Sequence, residues 1–145
     1  MSWERVLSGA GLVNIYSFLR DTGRGEEPSW LTDEISAGEP AAVISNAALS
    51  GRSRLCREAL DPFVALYGAE AGNLALKIMT TGGVFVAGGI APRILPRLRG
   101  PGFVRAFVAK GRMRPLLESM LVRVVLNDRL ALLGAARYAA TEESI

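Results

Sequence analysis

Thr80-Thr81-Gly82-Gly83-Val84-Phe85-Val86-Ala87-Gly88-Gly89-Ile90-Ala91-Pro92-Arg93-Ile94 reads as a buried strand, a glycine turn and the start of a helix. Gly83 to Ala87 are all apolar or glycine, rich in β-branched and aromatic types, and punctuated on both sides by glycine pairs. Such a run predicts a strand covered on both faces of an α/β layer. Gly88 and Gly89 then leave the carboxyl end of that strand, the place where open α/β sheets bind ligands. Lacking side chains, they permit positive φ and let another molecule approach the backbone. The helix that follows would turn its amide end toward the same spot and favour negative charge there. The same residues also suit a tight strand-to-helix turn in any α/β protein, and neither GxGxxG nor GxxxxGK[ST] is present.

The chain has 145 residues, enough for one domain or part of one with a real core. Half of the residues are hydrophobic and 21% charged, a globular composition. Seventeen basic against fourteen acidic residues give a net charge of +3 spread along the chain. With no Lys/Arg run interleaved with aromatics, this argues for a solvated basic surface and against nucleic acid. The single cysteine, Cys56, excludes an internal disulfide or a multi-cysteine zinc site and fits the cytoplasm. The absence of histidine excludes a histidine base, a histidine-anchored metal and a Ser/His/Asp triad within the chain. The longest uncharged run, Ile78 to Pro92, is glycine-rich and shorter than the roughly 20 apolar residues a spanning helix needs, so no membrane segment is expected. Met1-Ser2-Trp3-Glu4-Arg5 has no signal-peptide pattern, and its abrupt start suggests a piece of a longer chain.

Along the chain, a short turn around Glu4 to Leu7 and the break Ser8-Gly9-Ala10-Gly11 precede a helix with Leu12, Ile15, Tyr16 and Leu19 on one face. Asp21 to Ser29 reads as an exposed loop. Thr32 is the expected N-cap of a short helix through Ala37, opened by Asp33-Glu34. Pro40 suits the first helical position of a segment reaching Leu49. Arg52 to Met79 is the longest helical pattern, with Leu55, Ala59, Phe63, Leu66, Leu74 and Ile78 as its core stripe. Asp61-Pro62 either kinks it or restarts it. Pro92 to Leu98, Phe103 to Ala109 and Arg114 to Ser119 read as short helices. Leu121 to Leu126 gives a second strand with Arg123 as its polar intrusion. Asn127-Asp128 is the expected cap of a last helix through Ala139, whose Leu132-Leu133-Gly134-Ala135-Ala136 permits close packing.

The expected fold is therefore α/β, helix-rich, with an incomplete sheet: two strands among six or more helices cannot close a sheet covered on both faces. Further strands are expected from outside the chain, and the apolar area they leave bare predicts self-association, with a homodimer as the expected assembly. Chemistry-bearing residues are sparse. Glu26-Glu27 and Glu142-Glu143 read as solvated loop and tail. Cys56 reads as a small buried hydrophobe with no visible activating partner. Lys110 and Arg112 suit either phosphate or a plain helix-end surface pair. Glu4 stands close to a glycine-bearing turn, where a carboxylate can accept from sugar hydroxyls, although an ordinary surface glutamate has the same spacing.

Several blocks carry a family resemblance. Glu4-Arg5-Val6-Leu7-Ser8-Gly9, Gly11-Leu12-Val13-Asn14-Ile15-Tyr16, Gly72-Asn73-Leu74-Ala75-Leu76, Gly82 to Arg93, Lys110-Gly111-Arg112 and Leu132-Leu133-Gly134-Ala135-Ala136 occur in the order seen in bacterial ATP-dependent glucokinases. The chain resembles the carboxyl-terminal, large-domain portion of that family across nearly all of residues 1–145. The resemblance implies the two-domain actin-like ATPase fold, of the ribonuclease H-like type, and phosphoryl transfer from ATP to the 6-hydroxyl of D-glucose. It also implies that Glu4 matches the glutamate that binds glucose hydroxyls and that Gly88 and Gly89 match the glycine pair of the adenosine-binding motif. Ser8, Gly9 and Gly11 are implied to line the turn on the nucleotide side of the cleft. Ala10 stands where the family commonly has proline, which loosens that turn, and Met113 where it has an aromatic. In the family the aspartate base, the phosphate-binding glycine loops and the Glu-Gly-Gly-His sugar loop precede the block at Glu4, so ATP and Mg2+ are expected to be held mainly by segments outside this chain. The chain alone is then expected to be inactive. Two alternatives stay open: a related sugar kinase of the repressor/kinase group, or a noncatalytic dimerisation or regulatory remnant.

Overall fold

The structure, a computed structural model, describes residues 2–127 and 129–142. A 3-10 turn at Trp3–Arg5 leads into α1 (Gly9–Asp21), α2 (Ser29–Ala37), α3 (Pro40–Leu49) and the long α4 (Arg54–Ile78). Strand β1 (Val84–Val86) follows, then α5 (Ile90–Arg93), α6 (Leu95–Leu98), α7 (Pro101–Val108), α8 (Arg114–Glu118), β2 (Val122–Val124) and α9 (Leu130–Glu142). The two strands pair in parallel, with Val84 opposite Val122, Phe85 opposite Arg123 and Val86 opposite Val124. A parallel pair needs a crossover, supplied here by the α5–α8 segment. No helix of the described residues is long and apolar enough to cross a membrane.

The core is helical. Leu12 and Tyr16 of α1, Ile44 of α3, and Leu55, Cys56, Ala59, Leu60 and Phe63 of α4 are all buried together. Cys56 is fully enclosed, as expected of a small hydrophobe, and burial raises its thiol pKa. Asp61-Pro62 does not restart α4, which runs unbroken through Pro62. Leu60, Phe63 and Val64 on either side of the proline are anchored in the core, and that packing offsets the roughly 3 kcal/mol an interior proline costs. Asp61 instead binds Arg97 on α6, accepting from its Nε at 2.7 Å and from Nη2.

The close approach of α7 to α4 decides which face of α4 is covered. A Cβ added at Gly68 would stand 2.2 Å from the Phe103 carbonyl oxygen, and one at Gly72 would stand 2.4 Å from that of Phe107. Burial therefore follows Gly68, Ala71, Gly72 and Ala75. This corrects the expected stripe at its carboxyl end: Leu74 is 47% and Ile78 73% exposed. Edge-on contacts link Phe63 to Tyr67 and Tyr67 to Phe103, and Phe103 stacks on Phe107.

Three other expectations are corrected. Thr32 caps nothing, because α2 begins at Ser29 after Pro28; its hydroxyl donates instead to Glu27 Oε1 at 2.8 Å, and Asp33-Glu34 lie mid-helix. Glu27 is not a solvated loop residue, since it also accepts from the buried Tyr16 hydroxyl and faces Arg20 Nη1 at 3.4 Å. The strand at Gly83–Ala87 shortens to Val84–Val86 and only one of its faces is covered, leaving Phe85 62% exposed beneath the Arg123 guanidinium. The missing cover is what an incomplete sheet demands. Asp128, part of the expected cap of α9, and Glu143, of the acidic tail, lie outside the described residues. Asn127 does accept from the Arg129 N–H at 3.0 Å. Among the described residues nothing stands within 4 Å of where a Cβ would lie at Gly134, so the close packing expected there is not seen.

Two outcomes follow from this packing. Gly68→Ala should lower the unfolding free energy by about 1–3 kcal/mol through overpacking against α7, whereas Gly134→Ala, an open helical site, should raise it by up to about 1 kcal/mol; denaturant midpoints of the two variants check the contrast. Burial works to raise the Glu27 pKa, but hydrogen bonds from Tyr16 and Thr32 and the Arg20 charge hold it below the usual carboxylate value. A depressed folded pKa contributes stability above the unfolded pKa, near 4.5, and loses it as pH falls through the folded value. Glu27→Gln should therefore cost about 1–3 kcal/mol at pH 7 and flatten the stability loss below about pH 4.5, as read from melting temperatures between pH 3 and 7.

Candidate functional site

The amino-terminal wall of the site is a self-contained cap. Ser8, in extended backbone, is the N-cap of α1; its Oγ accepts from the Gly11 N–H at 3.0 Å while its hydroxyl donates to the Glu4 carbonyl at 2.7 Å. One serine thus ties the 3-10 turn bearing Glu4 to the first turn of α1, satisfying an orphan amide as N-caps do. Asn14 adds a second tie, its Nδ2 donating to the Arg5 carbonyl at 3.0 Å. Gly11 makes the fit possible, because a Cβ there would lie 2.5 Å from the Val6 carbonyl carbon. These ties hold the turn with alanine at position 10. Gly11 is therefore a packing glycine, and Asn14 a contributor to which the sequence pattern gave no role. The Glu4 carboxylate itself is exposed.

The second wall is the turn after β1. Gly88 takes a φ of +102°, which side chains rarely tolerate, while Gly89 at −74° is ordinary. Nothing stands within 4 Å of where a Cβ would lie at either residue, so the turn borders open space. The helix beyond it departs from expectation. It begins at Ile90, before the predicted Pro92, and breaks at Ile94, because Pro96 cannot donate to the preceding turn and restarts the chain as α6. With four residues, α5 carries little of the dipole expected at its amide end.

The two walls meet. Ser8, Gly9 and Leu12 line one side of a pocket of about 50 Å³ whose other side includes Ile90, Arg93 and Glu39, the residue before α3. Gly9 packs on α3, where a Cβ would stand 3.5 Å from Ala41 Cβ, and Arg93 Nη1 bridges to Glu39 Oε2 at 3.2 Å. Glu4, Gly88 and Gly89 do not line this pocket; the first lies on the turn capped through Ser8, and the glycines lead directly into Ile90. Lys110 Nζ donates to the Ala69 carbonyl at 2.8 Å, holding α4 to the end of α7. Arg112 is exposed on a 3-10 turn. Among the described residues no group of His, Cys, Asp and Glu is arranged to hold a metal.

The family model described as Glucokinase matches residues 1–142. The chain is 48% identical to a glucokinase of Nostoc punctiforme, over 97% of this chain and 44% of that protein. It is 43% identical to a glucokinase of Synechocystis, over 97% of this chain and 42% of that protein. The crystal structure of a glucokinase from an Antarctic psychrotroph superimposes with a TM-score of 0.75 at 33% identity, covering 94% of this chain and 39% of that one. The chain thus spans less than half the length of these relatives. With its family model, its relatives and its fold in agreement, the chain belongs to the glucokinase family.

Proposed function

We propose that residues 1–145 form the carboxyl-terminal, large-domain portion of an ATP-dependent glucokinase acting in the cytoplasm. The whole enzyme transfers the γ-phosphoryl group of ATP to the 6-hydroxyl of D-glucose. In this reading the Glu4 carboxylate accepts hydrogen bonds from glucose hydroxyls, held in place by the Ser8 bridge to its own carbonyl. The Gly88–Gly89 turn takes the adenosine part of ATP against bare backbone, and Ser8 and Gly9 border the nucleotide from the α1 side. The observation that carries the reading is the open, positive-φ turn at the carboxyl end of β1, one residue from a pocket shared with Ser8 and Gly9.

The described residues do not fit magnesium, since they hold no suitable cluster of acids. No step is assigned to the metal here. Phosphoryl transfer needs charge stabilisation at the phosphates and a base for the attacking hydroxyl. This chain supplies positioning, and the reactive parts belong to the remaining length of the whole enzyme.

Isothermal titration of ADP into the chain checks the nucleotide assignment. Gly88→Val should weaken binding at least about tenfold, by strain and by filling the approach. Gly23→Val is the control, because Gly23 also has a positive φ and open surroundings but lies past the far end of α1. Equal binding by both variants would remove the assignment. In a coupled assay the purified chain should release no ADP in the presence of glucose, and measurable turnover would show that the reactive groups are not missing after all.

A further inference from the structure

Glu4 is bound through its backbone and free at its side chain. Its N–H donates to Ser2 Oγ at 3.3 Å and its carbonyl accepts from the Ser8 hydroxyl at 2.7 Å, so side chains hold the peptide groups on both sides of it. The next carbonyl, that of Arg5, accepts from Asn14 Nδ2 at 3.0 Å. The carbonyl after that, of Val6, presses on Gly11, where a Cβ would stand 2.9 Å from its oxygen. Consecutive peptide units are thus fixed from the amino-terminal turns of α1. The Glu4 carboxylate, by contrast, is exposed and makes no hydrogen bond or ion pair among the described residues. An ionised carboxylate only accepts hydrogen bonds, so a free one on a fixed backbone suits a ligand rich in hydroxyl donors.

Among these ties, Asn14 is the one that α1 does not itself require. Ser8 caps the helix and Gly11 admits the Val6 backbone, so both serve the fold whatever Glu4 does. Asn14 is exposed, and asparagine is a poorer helix former than alanine because its amide competes for backbone groups. Here that amide leaves α1 and reaches nine positions back to the turn bearing Glu4.

We infer that Asn14 is a positioning residue of the sugar site. By holding the Arg5 carbonyl it sets the direction in which the Glu4 side chain leaves the turn, and with it the fit of the carboxylate to the sugar hydroxyls. This role rests on the proposed contact of Glu4 with glucose. Hydrogen bonds weaken steeply with angle, and an acceptor oriented in advance spares the ligand the entropy of ordering it. Such a contact acts on bound substrate and transition state alike, so its loss raises KM and leaves kcat in place.

Kinetics are read from a whole enzyme in which this chain replaces the aligned 44% of the Nostoc punctiforme glucokinase. Glu4→Gln should raise the glucose KM at least about tenfold. Asn14→Ala, and Asn14→Asp, which keeps the volume but lacks the Nδ2 donor, should raise it about three- to tenfold. Both should leave kcat and the ATP KM within about twofold. Asn46→Ala, which removes an exposed asparagine from α3, is the control and should change neither KM. In the 145-residue chain itself, the Val6 and Leu7 amides, which donate to the Trp3 carbonyl, should exchange at least about threefold faster in Asn14→Ala. Its melting temperature should stay within about 2 °C. Glu4→Gln with an unchanged glucose KM overturns both the positioning role and the glucose reading beneath it. A defective Glu4→Gln beside Asn14 variants with unchanged glucose KM overturns the positioning role alone. So does a rise in both KM values with a lowered melting temperature, which marks a merely structural tie. Unchanged exchange at Val6 and Leu7 overturns the role with or without turnover in the spliced enzyme.

Discussion

The backbone of α7 can lie on α4 only because Gly68 and Gly72 leave room for the Phe103 and Phe107 carbonyls. That contact fixes the rest of the carboxyl half. It carries the aromatic series from Phe63 to Phe107 into the core and provides the floor on which Val84, Val86, Val122 and Val124 rest. It also commits α4 to burying small residues along its last turns, which leaves Leu74 and Ile78 facing outward beside β1. The same close approach thus seats the strand that presents Gly88 and creates an open groove along that strand's edge.

Much of this was legible in the sequence. The glycine-flanked apolar run gave the strand and its turn, and Pro40, the face of α1 and the buried role of Cys56 followed from local rules. What local rules missed was decided by tertiary contact. Pro62 reads as a kink or a restart, and the helix nonetheless runs on through it between the buried Leu60 and Phe63. Thr32 reads as a cap until Glu27 is found beside it, folded back onto Tyr16 from a loop whose composition looks merely solvated. The Lys110 bond to the Ala69 carbonyl, 41 positions away, has no local signal either. Of the candidate site, the residue identities were legible but the pocket joining Ser8 and Gly9 to Ile90 and Arg93 was not, since the residues are some eighty positions apart in the chain.

The core explains why so short a strand pair persists at all. Two three-residue strands have little stability of their own. Here the buried cluster is built mainly from α1, α3, α4 and α7, and the strands are attached to it on one face. The fold therefore does not wait for a complete sheet. The consequence is asymmetric: one face of the sheet is fixed by the helical core, while Phe85 on the other face stays exposed.

The two walls of the candidate site are supported separately, and this bears on how it works. Glu4 is held through Ser8, Gly11 and Asn14, all within the first two turns of α1. Gly88 is held by β1 and its seat on the core. Across the pocket, the Glu39–Arg93 pair joins the start of α3 to α5 through side chains 60% and 65% exposed. An exposed pair of that kind contributes at most about 1 kcal/mol. The lasting link between the walls is apolar, because Leu12 of α1 and Ala91 and Ile94 just past the Gly88–Gly89 turn lie in one buried core. A core that sets the separation of two ligand-facing turns in advance orients whatever bridges them without drawing on binding energy.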